Sequence, residues 1–335
     1  MPLMNSRYLV RLTALSLGSL LVVACDPSDS ESADNTTTTT TTTAAGGAGG
    51  GDGGAGGATT STGGGGATAH AYSVEYVESA AGLHVGKSQV QIKLMDGEHK
   101  PATGLASSIV LEPMMDMGMM AHGAPVPIDA VSESATPGTY DCTLYFPMAS
   151  VDASNNPAGQ WTLGVDVGSA HAGQVDLTVG LAKGTSTTHV MLKNSADTFM
   201  SHGSPKMRSY PLFADSLESA GGGDVTFKVF VATIQEGAKV WPPVTVGLEL
   251  VDETGAEVQL TIQSLKLQAS TDGATWTPMN CDATARCGAT LKGLSSGVQG
   301  SVFVKMAVND KDYTTDGNAP DAGKGNGFAT FKVTP

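Results

Sequence analysis

Residues 113–125 read PMMDMGMMAHGAP: five methionines fall between Met114 and Met120, and His122 follows. Thioether sulfur is a soft, uncharged donor that suits Cu(I), and imidazole suits copper in either oxidation state. Met114, Met115, Met117, Met119, Met120 and His122 are therefore candidate metal ligands. Such donors need no deprotonated thiol, so they work in an oxidising compartment. Hard cations want oxygen ligands, which the run mostly lacks, and zinc wants more His or Cys. Packing is the competing explanation. On a strand, Met115, Met117 and Met119 share one face, while Met114 and Met120 take the other beside Asp116 and His122. Gly118, Asp116 and the flanking Pro113 and Pro125 argue against a central strand. Methionine also specifies a core weakly, so packing accounts for two or three of the five.

The end of the run recurs. Met120-Ala-His122-Gly-Ala-Pro125 returns as Met200-Ser-His202-Gly-Ser-Pro205, a shared M-x-H-G-x-P, with Met207 close behind. Met200, His202 and Met207 join the candidates, as a second related loop or as half of one composite site. Other patterns carry less. Gly293-Leu-Ser295-Ser-Gly297 matches a nucleophile elbow by letters, but an elbow needs a following helix and a strand-like run comes instead. Asp272-Gly273 reads as a tight turn. Asn309, Asp310, Asp312 and Asp316 gather oxygens without the spacing of a calcium loop. His84, His99, His171 and His189 are isolated along the chain.

These residues need elements to position them. The chain opens with Arg7 and Arg11, then an apolar run from Leu12 to Ala24, too short to span a bilayer comfortably. It ends Leu21-Val-Val-Ala24-Cys25, which looks like a bacterial lipobox with Cys25 as the lipidated residue. Residues 1–24 thus read as a lipoprotein signal peptide. Residues 25–70 read as the lipidated cysteine and a disordered Thr/Gly-rich tether, spanning about 35–40 Å. The expectation is export to the bacterial cell envelope with a lipid anchor, inner or outer membrane left open. The formal charge is −14. With no basic stripe, nucleic acid is an unsuitable partner. Cys281 and Cys287 bracket CDATARC, a spacing that suits a disulfide in an exported protein. Cys142 is then unpaired, in a strand-like run where it reads as a buried small hydrophobe.

From Tyr72 onward, short β-branched runs recur between Gly, Pro, Asn and Asp, with no sustained helical period. Asp96-Gly97, Thr254-Gly255 and Asp272-Gly273 mark turns. The reading is all-β: two tandem Ig-like antiparallel β-sandwiches, over residues 71–200 and 207–335. The run QWTLGVDV, from Gln160, alternates so that Trp161 anchors the first core. Trp241 and Trp276 are candidates for the second.

LEPMMDMGMMAHGAPV, then TPGTYDCTLYFPMAS, then GQWTLGVDV, form an ordered series over roughly residues 85–168. The series resembles the YtkA/FixH-like family of small exported Ig-like domains. That resemblance implies a β-sandwich tied to copper handling or respiratory-oxidase assembly. It carries metal roles onto Met114, Met115, Met117, Met119, Met120 and His122, and adds Met148 from the F-P-M strand end. The chain departs from the family in its lipid-anchored tether, where FixH-type members use a transmembrane helix, and in its second sandwich.

The sequence therefore points to an anchored envelope protein that binds copper through Met and His to buffer it or pass it on, and is not an enzyme. Its partners would be the membrane and a copper-handling or oxidase-assembly protein. The alternative is a metal-free Ig-like module recognising a protein or glycan, with the methionines as an adaptable apolar patch.

Overall fold

The computed structural model describes residues 71–77, 82–118, 120–201, 203–235, 241–252, 254–321 and 326–335. Residues 1–70, read above as a signal peptide, the lipidated Cys25 and a tether, lie outside the described residues, as do Met119 and His202. Among the described residues the regular structure is strand, apart from one 3-10 turn at Ala106–Ser108, and the strand pairing is antiparallel except for one parallel pair of two-residue strands.

The first half holds β1 (Tyr72–Val77), β2 (Leu83–His84), β3 (Gly86–Asp96), β4 (Ile109–Asp116), β5 (Ala121–Gly123), β6 (Val131–Glu133), β7 (Thr139–Phe146), β8 (Gln160–Val167), β9 (Ala170–Leu177) and β10 (Val179–Gly180). One sheet runs β1-β3-β7-β6 and the other β5-β4-β8-β9, with β2 and β10 paired in parallel beside them. Period-2 alternation decides what each strand buries. In β3, Ser88, Val90, Ile92 and Leu94 point inward while Gln89 and its outward neighbours meet solvent more. In β8, Trp161, Leu163, Val165 and Val167 point inward. The two inner faces close on each other, with Phe146 of β7 meeting Trp161 of β8 edge-on at 5.1 Å. Cys142 is free and buried in this core. Burial, with Asp141 adding, pushes its thiol up to about 12, so it stays protonated at neutral pH.

The second half holds β11 (His189–Ser201), β12 (Ser204–Gly221), β13 (Asp224–Val231), β14 (Glu249–Val251), β15 (Val258–Thr261), β16 (Leu265–Ser270), β17 (Thr277–Cys281), β18 (Arg286–Leu291), β19 (Gly300–Val308), β20 (Lys311–Tyr313) and β21 (Ala329–Val333). Nine of these form one sheet, in the order β11-β12-β13-β18-β17-β16-β19-β20, with β21 also on β19. The sheet curls back on itself. Lys193 of β11 and Thr314 after β20 exchange both backbone hydrogen bonds, at 2.7 and 2.8 Å. Curling lets one sheet wrap its own core, with Phe227 against Phe331 at 5.4 Å. Cys281 and Cys287 are directly opposed on β17 and β18 and joined by a disulfide.

Two placements differ from the sequence reading. His189–Ser201, assigned there to the first sandwich, hydrogen-bonds into the second half's sheet as β11. Strand pairing, not the strand's own pattern, sets that boundary. Trp276 is no core anchor: it is half-buried on the outer face, with Lys305 Nζ 3.9 Å from its ring centre and Phe328 at 5.0 Å. Trp241 is buried, but in a cluster shared by both halves with Tyr145, Phe213, Phe230, Ala232 and Ala285. Tyr145 of β7 stacks on Phe230 of β13 at 4.3 Å.

A polar network rims that junction. Tyr145 donates its hydroxyl to Asp215, Lys87 Nζ lies 2.8 Å from the same carboxylate, and Arg286 Nη1 reaches Asp129 at 2.6 Å. Burial pushes the Asp215 carboxyl up, but Lys87, Tyr145 and Arg286 outweigh it and hold it below the usual carboxylate range. The two halves form one compact unit through these contacts.

Candidate metal centre

The methionine run is not a free loop. Its first half is the end of β4, which pairs with β8 along its length and with β5 over Met114–Asp116. The run was expected to avoid a position flanked on both sides. Pro113 is tolerated there because the β5 ladder ends at Met114 opposite Gly123, so no partner on that side needs its missing N–H. Met117 N donates to Met120 O at 2.9 Å and closes the turn into β5. Gly118 takes φ +83° in that turn, a left-handed conformation that favours glycine. Asp116 Oδ1 accepts from Gly118 N at 2.7 Å and fixes the bend.

Register sorts the donors. Met115 is opposite His122, so the two share a face, and Asp116 opposite Ala121 takes the other. Continuing the alternation through the turn returns Met117 and Met120 to the face of Met115 and His122. Burial follows the same rhythm: Asp116 and Ala121 are exposed, while Met117, Met120 and His122 are half-buried and Met115 fully buried. His122, Met115 and Trp161 form one row across β5, β4 and β8. Met115 and Met117 both close over Gly159, where an added Cβ would lie 2.7 Å from Met115 Cε and 2.9 Å from Met117 Cγ. Met148 packs partly against the same core, and its carbonyl accepts the Trp161 indole N–H at 3.1 Å. Met115, Met117 and Met148 thus pack into the core that holds Trp161, while Met120 and His122 share the hairpin face of Met115 and Met117.

The set is not uniform. Met115 is 0 % exposed and interleaved with Trp161, so it is a core residue and not an open donor. Met114 lies on the opposite face, opposite Thr162, and is separated from the group by the strand itself. Burial lowers the His122 ring below its ordinary value, which keeps the imidazole neutral at pH 7, the form a metal binds.

Met200 and Met207 belong to a different hairpin, at the turn end of β11 and β12, where Met200 pairs with Pro205 and Met207 with Thr198. They are 46 % and 40 % exposed. The two M-x-H-G-x-P segments are not structural equivalents. His122 and Gly123 lie within β5, whereas Gly203 takes φ +75° in the hairpin turn itself. The composite site expected from the repeat does not follow from these two placements.

The patterns set aside behave as turns and surface contacts. Asp272 Oδ1 accepts from Ala274 N and Thr275 N at 2.8 and 2.7 Å. Asn309 caps backbone at Gln263, Asp310 pairs with Lys266, and Asp316 accepts from Asn326, so their oxygens serve separate partners. Among the described residues, no three His, Cys, Asp or Glu side chains form a metal cage. Sequence reading missed a buried cluster in the second half, Asp197 with Arg208, Tyr210 and Tyr313. Asp197 and Arg208 sit in the polar stretches KNSADT and SPKMRS, which carry no sequence signal of burial.

No family model matches the chain, and no curated protein matches it. Solved structures share only loose likeness. Domains 5–6 of the S-layer protein SbsC align at TM-score 0.21 and 12 % identity, over 78 % of this chain and 98 % of that one. A pullulanase from Anoxybacillus sp. LM18-11, complexed with maltotriose, aligns at TM-score 0.18 and 10 % identity, over 68 % and 24 %. Pullulanase type I from Bacillus subtilis, complexed with maltose, aligns at 0.17 and 12 %, over 72 % and 24 %.

Proposed function

We propose that the chain is an exported, lipid-anchored protein that holds Cu(I) on the core-side face of the β4–β5 hairpin, to buffer the ion or pass it on. One observation carries this reading: the strand register puts Met117, Met120 and His122 on a single half-buried face of the hairpin. Two thioethers and a neutral imidazole on one face suit a soft monovalent ion. Trp161 and Met115 behind them give that face a dry, apolar wall. Met115 serves there as packing. Uncharged ligands release the ion readily to a partner with similar donors, which favours exchange over catalysis. The resemblance to YtkA/FixH-like domains agrees with this reading, as does Cys25 as the lipid-bearing residue.

Anaerobic titration of the full chain against a chromogenic Cu(I) chelator tests the proposal. Competition at micromolar protein is the expected result, lost in the combined Met117→Leu, Met120→Leu and His122→Gln variant while its unfolding midpoint stays close to the parent's. A folded parent that takes no copper from the chelator sinks the proposal and leaves the metal-free interaction module.

A further inference from the structure

The second half carries a charged cluster that neither packing nor the copper reading uses. Between Lys193 and Thr198 the β11–β12 register slips: Lys193 faces Ser209, yet Thr198 faces Met207. β11 therefore bulges. The bulge is pinned where Ala196 N donates to Asn194 Oδ1 at 2.7 Å and Ser195 N to Gly317 O at 2.8 Å. Asp197 is buried within it. Its Oδ2 accepts from the Tyr210 and Tyr313 hydroxyls at 2.9 and 2.7 Å, and Arg208 Nε lies 3.3 Å from Oδ1. Burial and the Asp197 charge push both phenols up, so they remain protonated donors.

Arg208 is 1 % exposed, and its Nη1 and Nη2 are buried without a hydrogen-bond partner. Neutralising Asp197 engages only Nε. The Phe199 ring lies 5.0 Å from Arg208 Cζ, a contact that covers a face of the guanidinium plane but supplies no acceptor to the N–H groups in that plane. Buried donors are nearly always paired, so a guanidinium left with its two-nitrogen end unmet implies an acceptor that comes from elsewhere.

Arg208 lines a cleft of about 200 Å³, walled also by Asp197, Gln259, Asn309, Lys311 and Tyr313. The Asp197 charge is matched by Arg208 and its oxygens are taken by three donors. Lys311, exposed on the wall, leaves one positive charge uncompensated within this group. A planar fork of two N–H donors engages carboxylate and phosphate alike, and the one uncompensated charge of this group matches a monoanionic carboxylate better than a phosphate of higher charge or a neutral group. We propose that this cleft binds a small organic carboxylate, held by the Arg208 Nη pair with Lys311 at its mouth. Both nitrogens are closed to solvent, so entry needs a local outward shift of the wall. Ala196 and Asp197 of the wall lie between Lys193 and Thr198, where the β11–β12 ladder is interrupted.

The test is calorimetric titration of the copper-free full chain with acetate, succinate and inorganic phosphate at constant ionic strength. Saturable binding of a carboxylate, tighter than phosphate by tenfold or more, is expected. Arg208→Lys keeps the charge but loses the fork, and should weaken that binding at least tenfold. Should Arg208→Lys not fold, Lys311→Gln at the exposed wall is the second readout, with an expected loss of threefold or more. The proposal is overturned by no saturable binding, by phosphate binding as tightly as the carboxylates, or by Lys311→Gln binding like the parent. The copper proposal is unaffected by any of these results, because its donors lie in the other half.

Discussion

The same six-residue pattern, M-x-H-G-x-P, ends up in two unlike places. In the first half its histidine lies in a three-residue strand, with Met115 and Trp161 in the row beside it. In the second half its described residues lie at the turn end of a hairpin whose strands run 13 and 18 residues, and Met200 with nearby Met207 meets solvent. The difference teaches that what lies behind a strand face, and not the local pattern, decides what its donor-type residues meet. Each hairpin collects methionines from two strands on one face, but only the first sets that face against a core, while Met200 and Met207 share a face that meets solvent.

The comparison can be broken by substitution. Trp161→Ala removes the largest buried side chain of the first half and should cost about 3–5 kcal/mol in urea unfolding. Trp276→Ala, on the outer face of the second half, should stay within about 1 kcal/mol. Equal losses would erase the distinction drawn between an interior and a surface indole. Next in size, Met115→Ala should cost about 2–5 kcal/mol, against a change within about 0.5 kcal/mol for Met200→Ala. Met115→Leu, nearly volume-conserving, should cost less than about 1.5 kcal/mol. A harmless Met115→Ala would reopen that thioether as a donor.

Copper affinity sharpens the contrast. Met117→Leu with Met120→Leu should weaken Cu(I) binding tenfold or more in chelator competition, while Met200→Leu with Met207→Leu should leave it unchanged. A loss in the second pair instead would move the site to the other hairpin.

The smallest effect is on pH dependence. Burial lowers the folded-state His122 ring below its ordinary 6.5, so the unfolded chain takes up this proton first. Its contribution to stability is complete above about pH 6.5 and is lost as pH falls below it. His189, lowered by burial against Phe213 in the second half, acts in the same direction. Unfolding curves between pH 7.5 and 5 should show shallower acid loss in His122→Gln, and again in His189→Gln. A slope identical to the parent's in both variants would leave the acid sensitivity to other groups.

Much of this architecture was legible. QWTLGVDV alternates so regularly that Trp161 had to face inward, and Asp96 and Asp272 stand where their carboxylates brace turns. The Cys281–Cys287 spacing suits two strands meeting across a tight turn. The limits are equally physical. β11 is apolar enough for either half, and only its hydrogen bonds to β12 assign it. The split of Met114 from Met115 depends on register, which a run of identical residues does not encode. Asp197 and Arg208 needed a bulge to meet, and bulges leave no periodic trace.

The junction has a thermal consequence. Tyr145 from one half stacks on Phe230 from the other, and across the same divide Lys87 reaches Asp215 and Arg286 reaches Asp129. Melting either half alone would break both ion pairs and bare the rings of its neighbour. Scanning calorimetry should therefore record a single cooperative endotherm, and the stack-breaking Tyr145→Ala should split it into two.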